Sequence, residues 1–222
     1  MKILFSGDSF TYGDELENRD EERYSRLVCE HFNAEELNTA ACGNCNDAIL
    51  SEIFLPGRPA DVVVTQWSIP SRFQTTFDDG KTYRSILPEN ATPNKYNHND
   101  DFKVQHRARS HYRDVQSDCM DSVRMWRNIM MTQIFCEAKN MTHINIGLNK
   151  HYEYPETNVF QDMAQVSLKY IVPDIIGEMR NKDNFCPDLT HIDPYKHGNH
   201  PNANGHRLIA NYVIEQINAT ME

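Results

Sequence analysis

The sequence lacks both the long hydrophobic runs and the surplus of basic residues that two large classes of proteins need. No apolar stretch of the 222 residues approaches the ~18 consecutive residues of a membrane span. Lys and Arg number 22 against 32 Asp and Glu, which gives a net charge of −10. Because phosphate contacts require a basic face, this balance argues against nucleic acid binding. We therefore expect neither a membrane protein nor a nucleic-acid partner.

A targeting segment and a disulfide framework are also missing from the pattern. The apolar run at Lys2–Ser6 follows Met1 directly, without the basic and apolar regions of a signal peptide, so we expect a cytoplasmic protein. The six cysteines are then expected to be reduced. Cys42 and Cys45 form a C-x-x-C pair, but no second pair follows at the spacing of a zinc site. Buried or incidental thiols are the preferred interpretation.

Neither a metal nor a cofactor is predicted. Four histidines stand near the end of the chain, at His191, His197, His200 and His206. No Cys or carboxylate spacing beyond Cys186 supports a zinc site among them.

The first strong positive feature is the beginning of the chain. The apolar run Lys2–Ser6 reads as a buried strand, and Gly7-Asp8-Ser9 stops it. In an α/β sheet, ligands and catalytic groups gather at the carboxyl ends of the strands, which would place the Ser9 hydroxyl at that edge. A simple turn with a helix cap would produce the same pattern.

A second feature makes the catalytic interpretation of Ser9 stronger. His200-Pro201 leads into an amphipathic segment near the end of the chain. An early Ser and a late His on such a framework suggest nucleophilic hydrolysis, although His200 alone would more often be a surface or core residue. The Gly-x-Ser-x-Gly elbow of α/β-hydrolases is absent from the middle of the chain.

These segments resemble the SGNH (GDSL) hydrolases, which are esterases and deacetylases. Gly7-Asp8-Ser9 matches the first sequence block of that family, and Leu37–Asp47 fits the second with Gly43 at its glycine position. The resemblance implies a three-layer, flavodoxin-like α/β fold with a mainly parallel sheet. It also implies Ser9 as nucleophile, His200 as base, and an oxyanion hole that includes the amides of Ser9 and Gly43. The implied substrate is a small-molecule or glycan ester, such as a carbohydrate O-acetyl ester, with no cofactor.

The third block departs from the family pattern. Its usual Gly-x-Asn-Asp falls on Ser68–Ser71, so Pro70 occupies the place of the asparagine that completes the oxyanion hole. Proline has no N–H to donate. The candidates for a replacement donor are Asn44, Ser68 and Arg72, and we expect Ser68 or Arg72 to point toward Ser9.

The last block departs as well, because His197 occupies the place of the aspartate that precedes the catalytic histidine. Asp193 or Asp188 from the same segment could orient His200, with Asp193 preferred, or a backbone carbonyl could do so. These departures leave a second hypothesis open, in which the chain is a catalytically degenerate protein with a binding or structural role, for example in a virus particle.

Hydrophobic periodicity predicts repeating β-then-α units in a single domain. The expected strands cover Lys2–Ser6, 61–67 and 142–148, and the expected helices cover 20–33, a short segment after Asn46 and Asp47 as caps, 112–140 and 202–217. The long helix should bury Val115, Cys119, Val123, Trp126, Ile129, Met130 and Ile134, and the closing helix Leu208, Ile209, Tyr212 and Val213. Residues 72–111 show no sustained period, and we expect an irregular insertion there that serves as a substrate lid, a solvated loop or a subunit contact.

Overall fold

A computed structural model of the chain describes residues 1–55, 57–76, 82–86, 102–148, 169–170 and 200–221. Its strands are β1 (Lys2–Ser6), β2 (Glu35–Asn38), β3 (Val62–Trp67), β4 (Phe73–Thr76), β5 (Thr82–Ile86), β6 (Thr142–Gly147) and β7 (Lys169–Tyr170). Five of them form a sheet in the order β2-β1-β3-β6-β7, and all its pairs are parallel. This is the flavodoxin-like strand order. Strand β2 lies on one side of β1, and the later strands β3, β6 and β7 lie on the other side.

The helices lie on both faces of this sheet. They are α1 (Ser9–Tyr12), α2 (Arg19–Glu22), α3 (Tyr24–Phe32), α4 (Asn46–Phe54), α5 (Phe102–Ser110), a π-helical turn (His111–Val115), α6 (Asp118–Ala138) and α7 (Ala203–Met221). Residues Ile3 and Phe5 of β1 pack with α3 and α7, whereas Leu4 between them packs with α4 and α6. Side chains alternate across a strand, so a strand covered on both faces is apolar throughout. The predicted three-layer α/β fold is confirmed.

Two predicted helices are interrupted. The expected helix over 20–33 divides into α2 and α3 at Arg23, whose backbone is extended. Its guanidinium binds both carboxylate oxygens of Glu36, at 3.0 and 3.1 Å. The expected helix over 112–140 breaks before α6, where Ser117 is extended and its hydroxyl accepts a hydrogen bond from the amide of Met120. Polar groups that bind side chains or cap a helix end thus override the apolar period.

The predicted buried stripe of α6 is partly wrong. Trp126 and Ile129 are buried, but Ile134 is 56% exposed. The buried face also carries polar residues: Asn128 donates to Asp47 at 2.8 Å, and buried Asp121 pairs with Arg124 at 3.1 Å. A polar side chain can be buried when a partner satisfies it, and apolar periodicity does not report such pairs. Leu208 of α7, predicted inward, is likewise 37% exposed.

The expected irregular stretch over 72–111 contains regular elements. Strands β4 and β5 pair antiparallel, and α5 follows. Phe73, Ile86 and Ala108 form a small apolar cluster, and the hydroxyl of Tyr112 donates to the carbonyls of Ser71 and Ile86. Strands β4 and β5 and helix α5 are each too short to show a hydrophobic period, which explains why the sequence predicts an irregular insertion here. Residues 77–81 and 87–101 lie outside the described residues, so the proposed lid stays a prediction.

None of the helices in the described ranges combines the length and apolarity that a membrane crossing requires.

We expect the free energy of unfolding to decrease below about pH 6.5 because of His143 and His206. The pKa of each imidazole is lowered to about 3, by burial in both cases and, for His206, in smaller part by the nearby His200. In the unfolded chain both titrate near their ordinary value, so at acid pH the unfolded state binds protons that the folded state excludes. Stability is complete above that value and falls by up to about 1.4 kcal/mol per pH unit per histidine.

Urea unfolding at about pH 7, 6 and 5, in steps of about one unit that follow the titration, measures this slope. The variant His206→Asn keeps an acceptor for the Tyr24 amide and should show a shallower dependence. An equal slope in that variant would contradict the role of His206.

Candidate active site

The segment that carries Ser9 is a tight turn between β1 and α1. A side chain at Gly7 would collide with the hydroxyl of Thr11 and lie 2.9 Å from Gln66 Oε1. Asp8 caps α1, since its Oδ1 accepts a hydrogen bond from the Phe10 amide at 3.1 Å. Ser9 is therefore the first residue of the helix, with its position fixed by residues on both sides.

Asp8 also gathers two of the predicted oxyanion-hole residues. Its Oδ2 accepts from the hydroxyl of Ser68 at 2.7 Å and from Nη1 of Arg72 at 3.0 Å. The Asp8 side chain is 1% exposed and that of Arg72 16%. Ser68 and Arg72 thus converge on the residue next to Ser9, at the carboxyl end of β3. A carboxylate this deeply buried requires such partners.

The predicted catalytic pair is brought together. His200 Nε2 lies 2.9 Å from Ser9 Oγ, a distance at which a hydrogen bond forms. The two residues are 191 positions apart in the sequence. The imidazole packs against the ring of Phe10, with 5.5 Å between ring centroids.

The start of α7 places His200. Asn202 Oδ1 accepts from the amides of Asn204 and Gly205 and so begins the helix. One turn later, His206 Nδ1 accepts from the amide of Tyr24 at 3.1 Å, which binds α7 to α3. His206 is buried, and its contact with the Tyr24 amide is structural.

Sequence reasoning missed Glu15. Its Oε2 lies 3.3 Å from Nδ1 of His200, on the opposite side of the ring from Ser9. The side chains are 14% and 20% exposed, respectively. The only signal in the sequence is Gly13, a glycine that ends a one-turn helix and returns the chain toward its own start. Asp193, Asp188, His191 and His197 lie outside the described residues.

The loop of the second block contacts the same turn. Gly43 has a φ of 74°, the left-handed region that favours glycine. Asn44 is buried, and its Nδ2 donates to the carbonyl of Gly7 at 3.0 Å. Asn46, expected as a helix cap, instead exchanges two hydrogen bonds with the backbone of Ser68, at 2.8 and 3.1 Å. It ties the start of α4 to the end of β3.

The third-block position of the missing asparagine is buried Pro70. Its carbonyl accepts from Nη2 of Arg124 at 3.0 Å.

The candidate residues that the structure describes lie around the Gly7-Asp8-Ser9 turn. Asn44, Ser68, Arg72 and His200 each form a hydrogen bond with this turn, and Gly43 is next to Asn44 in the sequence.

A pocket of about 470 Å³ opens beside His200 and shares Glu15 with it. Among the described residues, 12–21 line the pocket, and the basic side chain there is Arg19, whose guanidinium lies over the Tyr12 ring. The acidic lining residues are Asp14, Glu15, Glu17, Asp20 and Glu21. The described part of the pocket wall therefore carries an excess of negative charge.

Comparison with solved structures identifies the fold. No family model matches the sequence, and no curated protein matches it in sequence. In structure, the chain is similar to a protein of the lipolytic G-D-S-L family from Desulfitobacterium hafniense, with 12% identity, a TM-score of 0.52 and coverage of 96% of this chain and 98% of that one. It is also similar to the psychrotrophic esterase EstA from Pseudoalteromonas sp., with 13% identity, a TM-score of 0.54 and coverage of 99% and 98%.

A third similar structure is the acetyl xylan esterase Est2A from the rumen bacterium Butyrivibrio proteoclasticus. The identity is 13%, the TM-score is 0.53, and the match covers 99% of this chain and 64% of that one. The chain therefore has the fold of the SGNH hydrolases, which confirms the resemblance of its Gly7-Asp8-Ser9 segment at the level of the fold.

Proposed function

We propose that this protein is a serine hydrolase that cleaves small acyl esters, with Ser9 as nucleophile and His200 as general base. The observation that carries this proposal is the distance of 2.9 Å between Ser9 Oγ and His200 Nε2. A serine hydroxyl is a weak nucleophile until an adjacent base accepts its proton. Ser9 follows the carboxyl end of β1, and ligands of α/β proteins bind at that edge of the sheet, which supports the proposal.

In the proposed reaction, Ser9 Oγ attacks the ester carbonyl while Nε2 of His200 takes its proton. The tetrahedral intermediate collapses when His200 delivers that proton to the leaving alcohol, and an acyl group remains on Ser9. Water then attacks the acyl group, again with His200 as base, and releases the acid and the free enzyme.

The developing oxyanion would be bound by the amides of Ser9 and Gly43, as the resemblance to SGNH hydrolases implies. Asn44, Ser68 and Arg72 are the candidates for the donor that Pro70 cannot supply. Of these, Arg72 is favoured. The Ser68 hydroxyl donates its one proton to Asp8, whereas Arg72 binds Asp8 through Nη1 and its buried Nε has no hydrogen-bond partner among the described residues. A cationic donor in a poorly solvated site interacts with an anion more strongly than a neutral one does.

The proposed substrate class is a small acyl ester of an uncharged alcohol, such as a carbohydrate O-acetyl ester. Two of the similar structures are esterases, and one of those is an acetyl xylan esterase. The negative wall of the pocket beside His200 disfavours anionic alcohols by like-charge repulsion. Esters of phosphorylated or carboxylated alcohols are therefore expected to be poor substrates.

A phosphonate ester tests the nucleophile directly. The similar EstA structure was inhibited by monoethylphosphonate. We expect a p-nitrophenyl phosphonate to inactivate the protein with time and to leave one adduct per chain, located on Ser9 by mass spectrometry. Hydrolysis of p-nitrophenyl acetate should disappear in step with that modification.

Hydrolysis that continues after full modification of Ser9 would refute the mechanism. Failure of both hydrolysis and labelling would favour the alternative, a catalytically degenerate protein with a binding or structural role.

A further inference from the structure

We propose that Glu15 is a positioning residue that holds His200 in its reactive orientation, an inference that rests on the proposed function. The Glu15 carboxylate and the Ser9 hydroxyl lie at opposite nitrogens of the imidazole. Oε2 is 3.3 Å from Nδ1, and Ser9 Oγ is 2.9 Å from Nε2. This order of nucleophile, base and carboxylate is the arrangement of a catalytic triad.

The contact is shielded from water. Both Nδ1 of His200 and Oε2 of Glu15 are buried atoms. Within the described part of the chain, Nδ1 has no hydrogen-bond partner, and the Glu15 carboxylate is the charged group that faces it. A carboxylate there favours the tautomer with its proton on Nδ1, which leaves Nε2 as the acceptor for Ser9. It also stabilises the imidazolium that forms during attack.

The backbone shows how the chain delivers this carboxylate. Gly13 ends α1 with a φ of 83°, and the amide of Asp14 donates to the carbonyl of Ser9 at 3.0 Å, so the chain folds back over the helix. Glu15 itself has a φ of 67°, in the left-handed region that residues with a Cβ rarely adopt. Such strain persists only where the surroundings maintain it, and it is concentrated at functional sites.

The position that the family resemblance gives to the orienting aspartate is occupied by His197, which has no carboxylate. Glu15 supplies one from the other end of the sequence, six positions after the nucleophile. A triad is defined by geometry and roles, and its members can come from any order in the chain.

Kinetics of Glu15→Gln on p-nitrophenyl acetate test this role. We expect kcat to fall about 10²–10⁴-fold, because the amide does not fix the tautomer or stabilise the imidazolium, while KM changes little. Glu15→Asp should recover part of the loss. The matched control is Glu30→Gln, which removes the same charge from an exposed position on α3, outside the pocket, and should leave kcat unchanged.

A second measurement needs no substrate. The NMR chemical shifts of the His200 ring nitrogens report which nitrogen carries the proton, and we expect Nδ1–H in the wild type and a changed tautomer in Glu15→Gln. An unchanged tautomer, or an unchanged kcat, would overturn the role of Glu15. So would a loss of kcat in Asp193→Asn with none in Glu15→Gln, because the role would then belong to Asp193. Absence of hydrolysis by the wild type would instead reject the proposed function, and the tautomer would still decide whether Glu15 orients the ring.

Discussion

Replacing Ser9 by alanine is expected to lower kcat/KM for p-nitrophenyl acetate by about 10³-fold or more. The hydroxyl that we propose attacks the ester carbonyl is lost, and no other nucleophile contacts Nε2 of His200 among the described residues. Replacing His200 by glutamine should cause a loss of similar size, since the hydroxyl then has no base. The two groups act on one proton, so the double variant should be no slower than the slower single variant.

Thermal unfolding of each variant gives the control for this prediction, because Ser9 is buried and His200 packs on Phe10. The melting temperature should stay close to that of the wild type. Two observations would contradict the assignment: activity that survives Ser9→Ala, or losses that multiply in the double variant.

The second large effect concerns the stability of the turn itself. Asp8→Ala is expected to lower the free energy of unfolding by about 3–5 kcal/mol, the usual cost of breaking a buried ion pair. The substitution removes the cap of α1 and leaves the largely buried guanidinium of Arg72 with the Ser68 hydroxyl as its remaining partner there. Urea unfolding at neutral pH measures the change.

An exposed ion pair provides the matched control. Arg26 and Glu30 pair at 2.9 Å one helical turn apart on α3, and their side chains are 45% and 53% exposed. Glu30→Ala removes a carboxylate of similar geometry and should cost less than about 1 kcal/mol. Equal losses in the two variants would show that the Asp8–Arg72 pair is not buried in solution.

Arg72 links this stability effect to the proposed chemistry. It neutralises Asp8, which would otherwise place a negative charge beside the developing oxyanion. Arg72→Ala is expected to lower kcat more than it raises KM, by about the 10²–10³-fold typical of a lost oxyanion-hole donor. A change confined to KM would assign Arg72 to substrate binding instead.

The sequence by itself predicted three strands of the main sheet and the Ser9–His200 pair that we propose to be catalytic. The apolar runs at β1, β3 and β6 are long enough to be read without the fold, because strands buried on both faces are apolar at successive positions. Ser9 follows β1 and His200 precedes α7, and the pattern of apolar residues predicts both of these elements clearly.

The sequence did not determine the elements that depend on polar contacts. The breaks at Arg23 and Ser117, and the buried polar face of α6, arise from hydrogen bonds and ion pairs between residues far apart in the chain. Hydrophobic periodicity carries no information about such pairs. It predicts that a charged residue is exposed, even where a partner in the folded protein allows that residue to be buried.

Only the tertiary structure placed Glu15 against His200 and brought Ser68 and Arg72 to Asp8. Glu15 belongs to an acidic stretch in which nothing local distinguishes it from Glu17, and its contact is with a residue 185 positions later. That contact exists because a left-handed turn after α1 and the docking of α7 on α3 meet at one edge of the sheet. Local sequence patterns mark Ser9 and His200, whereas the groups that contact them or the adjoining Asp8 are set by the packing of distant elements.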